Sequence, residues 1–377
     1  MLRYMTAGES HGKGLMAILD GVPAGLRVDE TFINSELARR MYGYGRGGRM
    51  RIEKDKAELF TGLRKGKTIG SPIGILVMNK DHKIDELPAV KNPRPGHADL
   101  AGMQKYGLAD ARDVLERASA RESAARVAIG AVAKLFLKEF LIRITSHVTG
   151  IAGIMSGSQK LSFDEILQRT SASGSKLRCA DPEAEKKMCD AIDAAEHSGD
   201  TLGGEFEVLA DNLPPGLGSY AQWDSRLDGR LARALMSIPA VKAVSLGEGI
   251  QAASKKGSQV HDPIVYDKGN KSFSRTTNNA GGIEGGMTNG ELLRIHGFMK
   301  PIATLKNPLS SVDMNTKAPA GASTERSDVT AVPACGVIGE SVVALELACA
   351  MLEKFGGDSI EETKRNFNAY LAAIKEM

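Results

Sequence analysis

The run from Arg94 to Lys134, RPGHADLAGMQKYGLADARDVLERASARESAARVAIGAVAK, constrains this chain more than any other stretch. Leu115, Ala118, Ala125, Ala128 and Val132 recur at helical spacing, which predicts a long helix continuing to about Leu141. Ala118, Ala120, Ala124, Ala125, Gly130 and Ala131 carry so little side chain that a neighbour must pack close to the backbone. Arg117, Arg121 and Arg126 project from this helix, and a basic loop tipped by His97 precedes it. Arginines facing a loop histidine suit an anionic ligand. The same pattern suits a core helix with solvated arginines, and these residues alone leave both open.

Glycine is the compositional outlier, 42 of 377 residues, against a usual share of roughly 7%. Much of it gathers in three loops. Thr6–Gly12 sets Ser10 and His11 between glycines. Gly43–Arg49 carries Arg46 and Arg49 just after Arg39 and Arg40, a cradle for phosphate or carboxylate or else an exposed basic loop. It matches GxGxxG, but a helix precedes it and strand-like sequence follows, the reverse of a dinucleotide fingerprint. Asn278–Gly290 is so rich in Gly and Asn that no regular element is expected there, only backbone N–H groups free to wrap a ligand. Gly62–Thr68 falls one residue short of a P-loop and reads as a basic turn between strands.

Further elements follow from pattern and capping. Strands are expected at Leu15–Leu19, Ile69–Asn79, Ile142–Ile154, Gly203–Leu209, Val241–Leu246 and Leu292–Phe298. Helices are expected at Asp29–Met41, Phe163–Gln168, Pro182–Glu196, Leu227–Met236, Val337–Phe355 and Ile360–Lys375. His147 is expected to be packed. A helix–strand–strand theme recurs in each half, which predicts an α+β, layered architecture with an internal pseudo-twofold. One domain spans 1–377, with a peripheral helical insertion at about 155–200. The net charge of +3 and 5% aromatic residues do not indicate a nucleic-acid partner. No CxxC pair links the four cysteines, so no metal site is expected. Without a signal peptide or an uninterrupted apolar run of about 18 residues, the chain reads as soluble and cytoplasmic.

Five signatures in order resemble the chorismate synthase family: GESHG at Gly8–Gly12, YGRGGRM at Tyr44–Met50, RPGHADL at Arg94–Leu100, NNAGGIEGGMTNG at Asn278–Gly290 and ERSD at Glu325–Asp328. GDTLGGEFEV and GLGSYAQWD also fit, so the resemblance spans nearly the whole chain. It implies a β-α-β sandwich assembled as a homotetramer. The implied reaction is the anti 1,4-elimination of phosphate and the C6 pro-R hydrogen from 5-enolpyruvylshikimate 3-phosphate, giving chorismate. Reduced FMN is implied as cofactor, without net redox change.

By position, the resemblance gives His11 the role of general acid at the leaving phosphate, with Ser10 beside it. His97 is implied to support the flavin, and Asp328 to act at C6. FMN contacts carry over to Arg117, Ala118, Ser119, Pro239, Ala240, Gly285, Lys300, Pro301, Ile302, Ala303, Thr304 and Arg326. Ala118 stands where serine is frequent and Pro239 where asparagine is frequent, so only backbone contacts survive there; Ala303 fills a variable slot. Arg40, Arg46, Arg49, Arg94, Arg121 and Arg326 are candidates for the substrate's phosphate and carboxylates. In family members, positions matching Arg40 and Arg46 are assigned to NADPH, and both anions stay open for them. Two rival readings are a flavin reductase, which would not need His11, His97 and Asp328 together, and an RNA-binding module built on the GRGGR segment.

Overall fold

The computed structural model describes residues 2–47, 54–158, 161–171, 174–269, 271–325 and 328–377. Strands β1 (Arg3–Gly8), β2 (Gly14–Asp20), β3 (Ala57–Leu59) and β4 (Ile73–Met78) form one antiparallel sheet in the order β1-β2-β4-β3. Leu15, Ala17 and Leu19 of β2 and Ile73, Ile75 and Val77 of β4 alternate inward, and all are buried. Helix α1 (Glu30–Met41) is capped by Asp29, whose carboxylate accepts from Thr31 N at 2.9 Å. Arg39 and Arg40 close its last turn, where cations favour the helix dipole.

The long helix expected through Leu141 is two helices. After α2 (Asp99–Tyr106), α3 (Ala111–Ala118) stops where Ser119 turns extended, with φ −65° and ψ 142°. A 3-10 turn at Ala120–Glu122 then leads into α4 (Ser123–Lys138). The serine hydroxyl accepts from Arg121 N at 3.3 Å, offering the backbone an alternative to the helical bond.

The second half repeats the plan. Strands β5 (Arg143–Ile151), β6 (Ile154–Met155), β7 (Gly204–Asp211), β8 (Val241–Leu246) and β9 (Leu293–Met299) make a sheet in the order β8-β9-β7-β5-β6. Helices α5 (Phe163–Ser171), α6 (Pro182–Ser198), α7 (Leu227–Met236), α8 (Val332–Phe355) and α9 (Ile360–Ile374) complete the chain. Met188 and Ile192 of α6 join the main core. His147 is buried as expected, its Nε2 2.8 Å from Glu207.

The halves share a keystone. Thr68 Oγ1 donates to Pro23 O at 2.6 Å and accepts from Leu26 N at 2.9 Å. Thr288 Oγ1 donates to Pro214 O at 2.6 Å and accepts from Leu217 N at 2.8 Å. The segments Pro23-Ala24-Gly25-Leu26 and Pro214-Pro215-Gly216-Leu217 thus make the same pair of hydrogen bonds to a hairpin threonine, in keeping with the expected pseudo-twofold. The second hairpin, Ile283–Glu284 with Met287–Thr288, corrects the expectation that Asn278–Gly290 holds no regular element. Gly285 and Gly286, at φ +58° and +85°, supply the tight turn such a hairpin requires.

Between the sheets lie α4 and α8. A Cβ on Gly130 would lie 2.4 Å from Ser341 Cβ, so glycine sets how closely the two helices approach. Helix α8 is long and apolar enough to cross a membrane by composition, yet it is enclosed in the core; 20 of its residues, Glu340 included, are buried.

Candidate active site

Residues 40–45, at the end of α1, touch the starts of both central helices. Arg40 donates from Nε to Ser123 Oγ at 3.1 Å and from Nη2 to Ala120 O at 3.0 Å, at the head of α4. A Cβ on Gly43 or Gly45 would meet Pro333 or Thr330, at the head of α8. The positive dipole ends of α4 and α8 therefore share one end of the molecule, which favours anions there.

The Ser10–His11 loop is built into this end. Asn79 Nδ2 donates to the carbonyls of Glu9, Ser10 and Gly12 at 3.1, 3.2 and 2.8 Å. Ser10 N donates to Glu116 O at 2.9 Å, and Ser119 Oγ lies 3.2 Å from Ser10 Oγ. His11 Nδ1 is 2.9 Å from Glu116 Oε1, and its backbone N donates to Glu116 Oε2 at 2.7 Å. Burial raises the Glu116 carboxyl, but the two His11 hydrogen bonds and Arg112 outweigh it and leave it below the ordinary range. Arg121 donates to Asn79 Oδ1 at 2.9 Å and to Asp55 Oδ1 at 2.6 Å. Among the described residues nothing accepts from Arg121 Nη2, although it is buried. Arg40 is pushed down to about 10 by burial and by Arg121 and Arg46, against the pull of Asp55.

Asp328 faces the glycine loop. Its Oδ1 accepts from Gly47 N at 2.6 Å and its Oδ2 lies 2.8 Å from Arg46 Nη1. On the other side, Arg112 reaches Pro88 O at 3.2 Å and Glu325 at 2.8 Å, tying α3 to the segments that lead to His97 and Asp328.

The basic loop at Arg94–His97 packs on Lys300–Thr304. Arg94 donates three times to Asp99, from N, Nε and Nη2 at 3.1, 2.8 and 3.0 Å, and once to Thr304 Oγ1 at 2.8 Å. His97 Nδ1 lies 2.5 Å from Asp99 Oδ1. A Cβ on Gly96 would approach Lys300 Nζ and Ala303 Cβ. Lys300 N donates to Ala240 O at 2.9 Å, which brings Pro239–Ala240 alongside. Burial and Lys242 lower the Lys300 amine. Thr201 Oγ1 anchors Ile302 O at 2.7 Å, and Pro301 is exposed.

Of the expected residues, Ser10, His11, Ser119, Arg121 and Arg40 thus form one connected group, Arg94, His97, Ala240, Lys300, Ala303 and Thr304 a second, and Arg46 with Asp328 a third. Arg40 and Arg94 spend their donors on protein groups and brace the site from inside. Arg117 holds Thr6 O and Gly8 O at 3.0 Å each, and Ala118 ends α3. Gly285 stands apart: its neighbour Gly286 bonds Leu227, the first residue of α7, while Pro239 follows the last, about 15 Å away along the helix. Arg49 and Arg326 lie outside the described residues. Sequence reading missed Asp55, Asn79, Glu116 and Arg112. Asp99 lay inside RPGHADL unremarked, and its place two residues after a histidine was the signal available.

Residues 2–352 match the family model described as chorismate synthase. The chain is 54% identical to the chorismate synthase of Carboxydothermus hydrogenoformans over 99% of both chains, and 51% identical to that of Koribacter versatilis over the full length of each. A crystal structure of chorismate synthase superposes with a TM-score of 0.83 at 44% identity, covering 100% of this chain and 99% of the other. Family model, relatives and fold agree: this chain belongs to the chorismate synthase family.

Proposed function

We propose that this chain is a carbon–oxygen lyase that converts 5-enolpyruvylshikimate 3-phosphate to chorismate and phosphate by anti 1,4-elimination, with reduced FMN and no net redox change. The observation that carries the reading is the buried Nη2 of Arg121, without an acceptor among the described residues, at the common positive end of two helices. A buried donor left without an acceptor is costly, and a substrate phosphate supplies the acceptor.

In this reading His11 gives a proton to the departing phosphate, with Ser10 alongside and Arg121 holding the phosphate oxygens. Asp328 acts on the C6 hydrogen. Arg46 pairs with Asp328, so an anionic substrate that engages Arg46 competes with that ion pair as it binds. Arg49 and Arg326 are assigned to the remaining anions by position in the motif. Lys300, His97 and the backbone at 239–240 and 301–304 fit a flavin, because they converge on one surface with a cation and a histidine held at Nδ1. Arg117, Ala118 and Ser119 border the Ser10 loop and are assigned to the same cofactor. Bound there, reduced FMN lends and recovers an electron for the allylic system. NADPH as the flavin's reductant would draw on Arg40 and Arg46; the burial of Arg40 favours substrate at Arg46.

We also infer a cytoplasmic homotetramer. Supporting it, Met5, Met16, Ile18 and Met78 project from the outer face of the first sheet, 43% exposed or more, an apolar face that a second copy would bury. A light-scattering mass equal to one chain would sink that part.

The test is anaerobic: purified protein, reduced FMN and 5-enolpyruvylshikimate 3-phosphate, with chorismate absorbance and phosphate followed together. Both products should appear one for one, and neither with oxidised FMN. His11→Ala and Asp328→Ala should each lose roughly 10²- to 10⁴-fold in kcat, the usual share of a positioned acid or base. Flavin binding without either product would overturn the reading in favour of a reductase.

A further inference from the structure

Two histidines of the site each set Nδ1 against a buried carboxylate. His11 Nδ1 is 2.9 Å from Glu116 Oε1 and His97 Nδ1 is 2.5 Å from Asp99 Oδ1. In both pairs the carboxylate is buried, with 1% and 0% of its side chain exposed, while the ring keeps 13% and 21%. The pairs differ in what else the carboxylate does. Asp99 also accepts three hydrogen bonds from Arg94, whose Nη2 lies 3.1 Å from His97 Nδ1 as well. Glu116 faces Arg112 Nη1 at 3.6 Å, beyond a hydrogen bond, while Arg112 Nη2 donates to Glu325 at 2.8 Å. The closest contacts of Glu116 are the two N–H groups of His11, one oxygen for the ring and one for the backbone.

We propose that Glu116 is the positioning residue of His11: its carboxylate accepts the Nδ1 proton and the His11 backbone N–H together, fixing the ring tautomer and turning Nε2 toward the substrate. An ionised carboxylate can only accept, so Nδ1 must be the protonated nitrogen. Burial alone would raise the Glu116 carboxyl, but the two His11 donors and the Arg112 charge outweigh it and favour the ionised form. The third bond, from Ser10 N to Glu116 O, locks the loop to the same turn of α3. A purely structural carboxylate would not need to address both N–H groups of a single histidine. The proposal rests on the reading of His11 as the proton donor to phosphate, and it names the residue that makes Nε2 the donating atom.

The experiment uses the full chain with 15N-labelled histidine and the variants Glu116→Gln and Glu116→Asp. Ring 15N shifts of His11, identified by their loss in His11→Ala, are recorded at alkaline pH, where the ring is neutral. Wild type should show Nδ1 protonated and Nε2 bare. Glutamine can donate as well as accept, so Glu116→Gln should show mixed tautomers. Its kcat should fall about 10²-fold, as expected when a general acid is misplaced, with KM nearly unchanged. Glu116→Asp keeps an acceptor that cannot donate, so it should retain the Nδ1–H form and exceed the glutamine variant in kcat. Flavin binding and thermal melting report folding; should Glu116→Gln fail to fold, the tautomer and kcat of Glu116→Asp against wild type carry the test. An unchanged tautomer in Glu116→Gln, or a change in KM with kcat intact, overturns the proposal. A wild-type protein that shows the Nδ1–H tautomer but forms no chorismate with reduced FMN locates the failure in the functional reading instead.

Discussion

Asp99 shows how a single residue couples the site to stability. Burial raises its carboxyl, while hydrogen bonds from His97 and Arg94 lower it further, and the net position is well below the ordinary carboxylate range. A depressed folded value means that the stabilisation is complete above the unfolded value, roughly pH 4, and is lost as pH falls through the lowered one. Asp99→Asn should therefore cost about 3–5 kcal/mol at pH 7, the usual cost of breaking a buried pair, because Arg94 loses its counter-ion. The gap from wild type should narrow in acid. Urea unfolding at pH 7 and pH 3 checks this, and an equal gap at both would disprove it. Histidine and arginine in a glycine-rich motif were legible from sequence. Of their carboxylates, Asp99 sits two residues after His97, whereas Glu116 lies 105 residues from His11 and nothing local marks it as a partner.

Among the elements, capped and strongly periodic ones were legible. Leu227–Met236 and Val241–Leu246 fall where the pattern puts them, and Asp29 caps α1 as read. The break at Ser119 was not legible, because the apolar spacing carries across it and only the serine's side-chain bond distinguishes a stop from a continuation. Glycine placement gives a paired test. Gly130→Ala pushes a methyl into Ser341 between α4 and α8 and should cost roughly 1–3 kcal/mol. Gly229→Ala, on an exposed position of α7 with open space around it, should gain about 0.5–1 kcal/mol from helix propensity. Thermal or urea midpoints of the two variants should move in opposite directions; shifts of the same sign would refute this account of the close approach.

For the whole molecule, a buried charge cluster joins the layers. Glu340 of α8 accepts from Arg39 Nη2 at 2.7 Å, Ser146 Oγ at 2.6 Å and Arg178 Nη2 at 3.1 Å, and Lys134 bridges it to Glu36. Helices α1, α4 and α8 and strand β5 thus meet on one carboxylate. Burial raises Glu340, but Arg39, Lys134 and Arg178 hold it far below the ordinary range. Glu340→Gln strands those three cations against Glu36 alone and should cost about 3–5 kcal/mol, read as a lower urea midpoint; a shift under about 1 kcal/mol would show the cluster to be dispensable. The sequence by itself determined the α+β alternation, the pseudo-twofold and the family, because hydrophobic period, caps and short motifs are local properties of the chain. Only the tertiary structure decided that Glu116 faces His11, which arginines brace the site and that Arg121 Nη2 has no acceptor among the described residues. Pairings such as His11 with Glu116 and Arg121 with Asp55 join residues 105 and 66 positions apart, and only the folded chain brings them within hydrogen-bond reach.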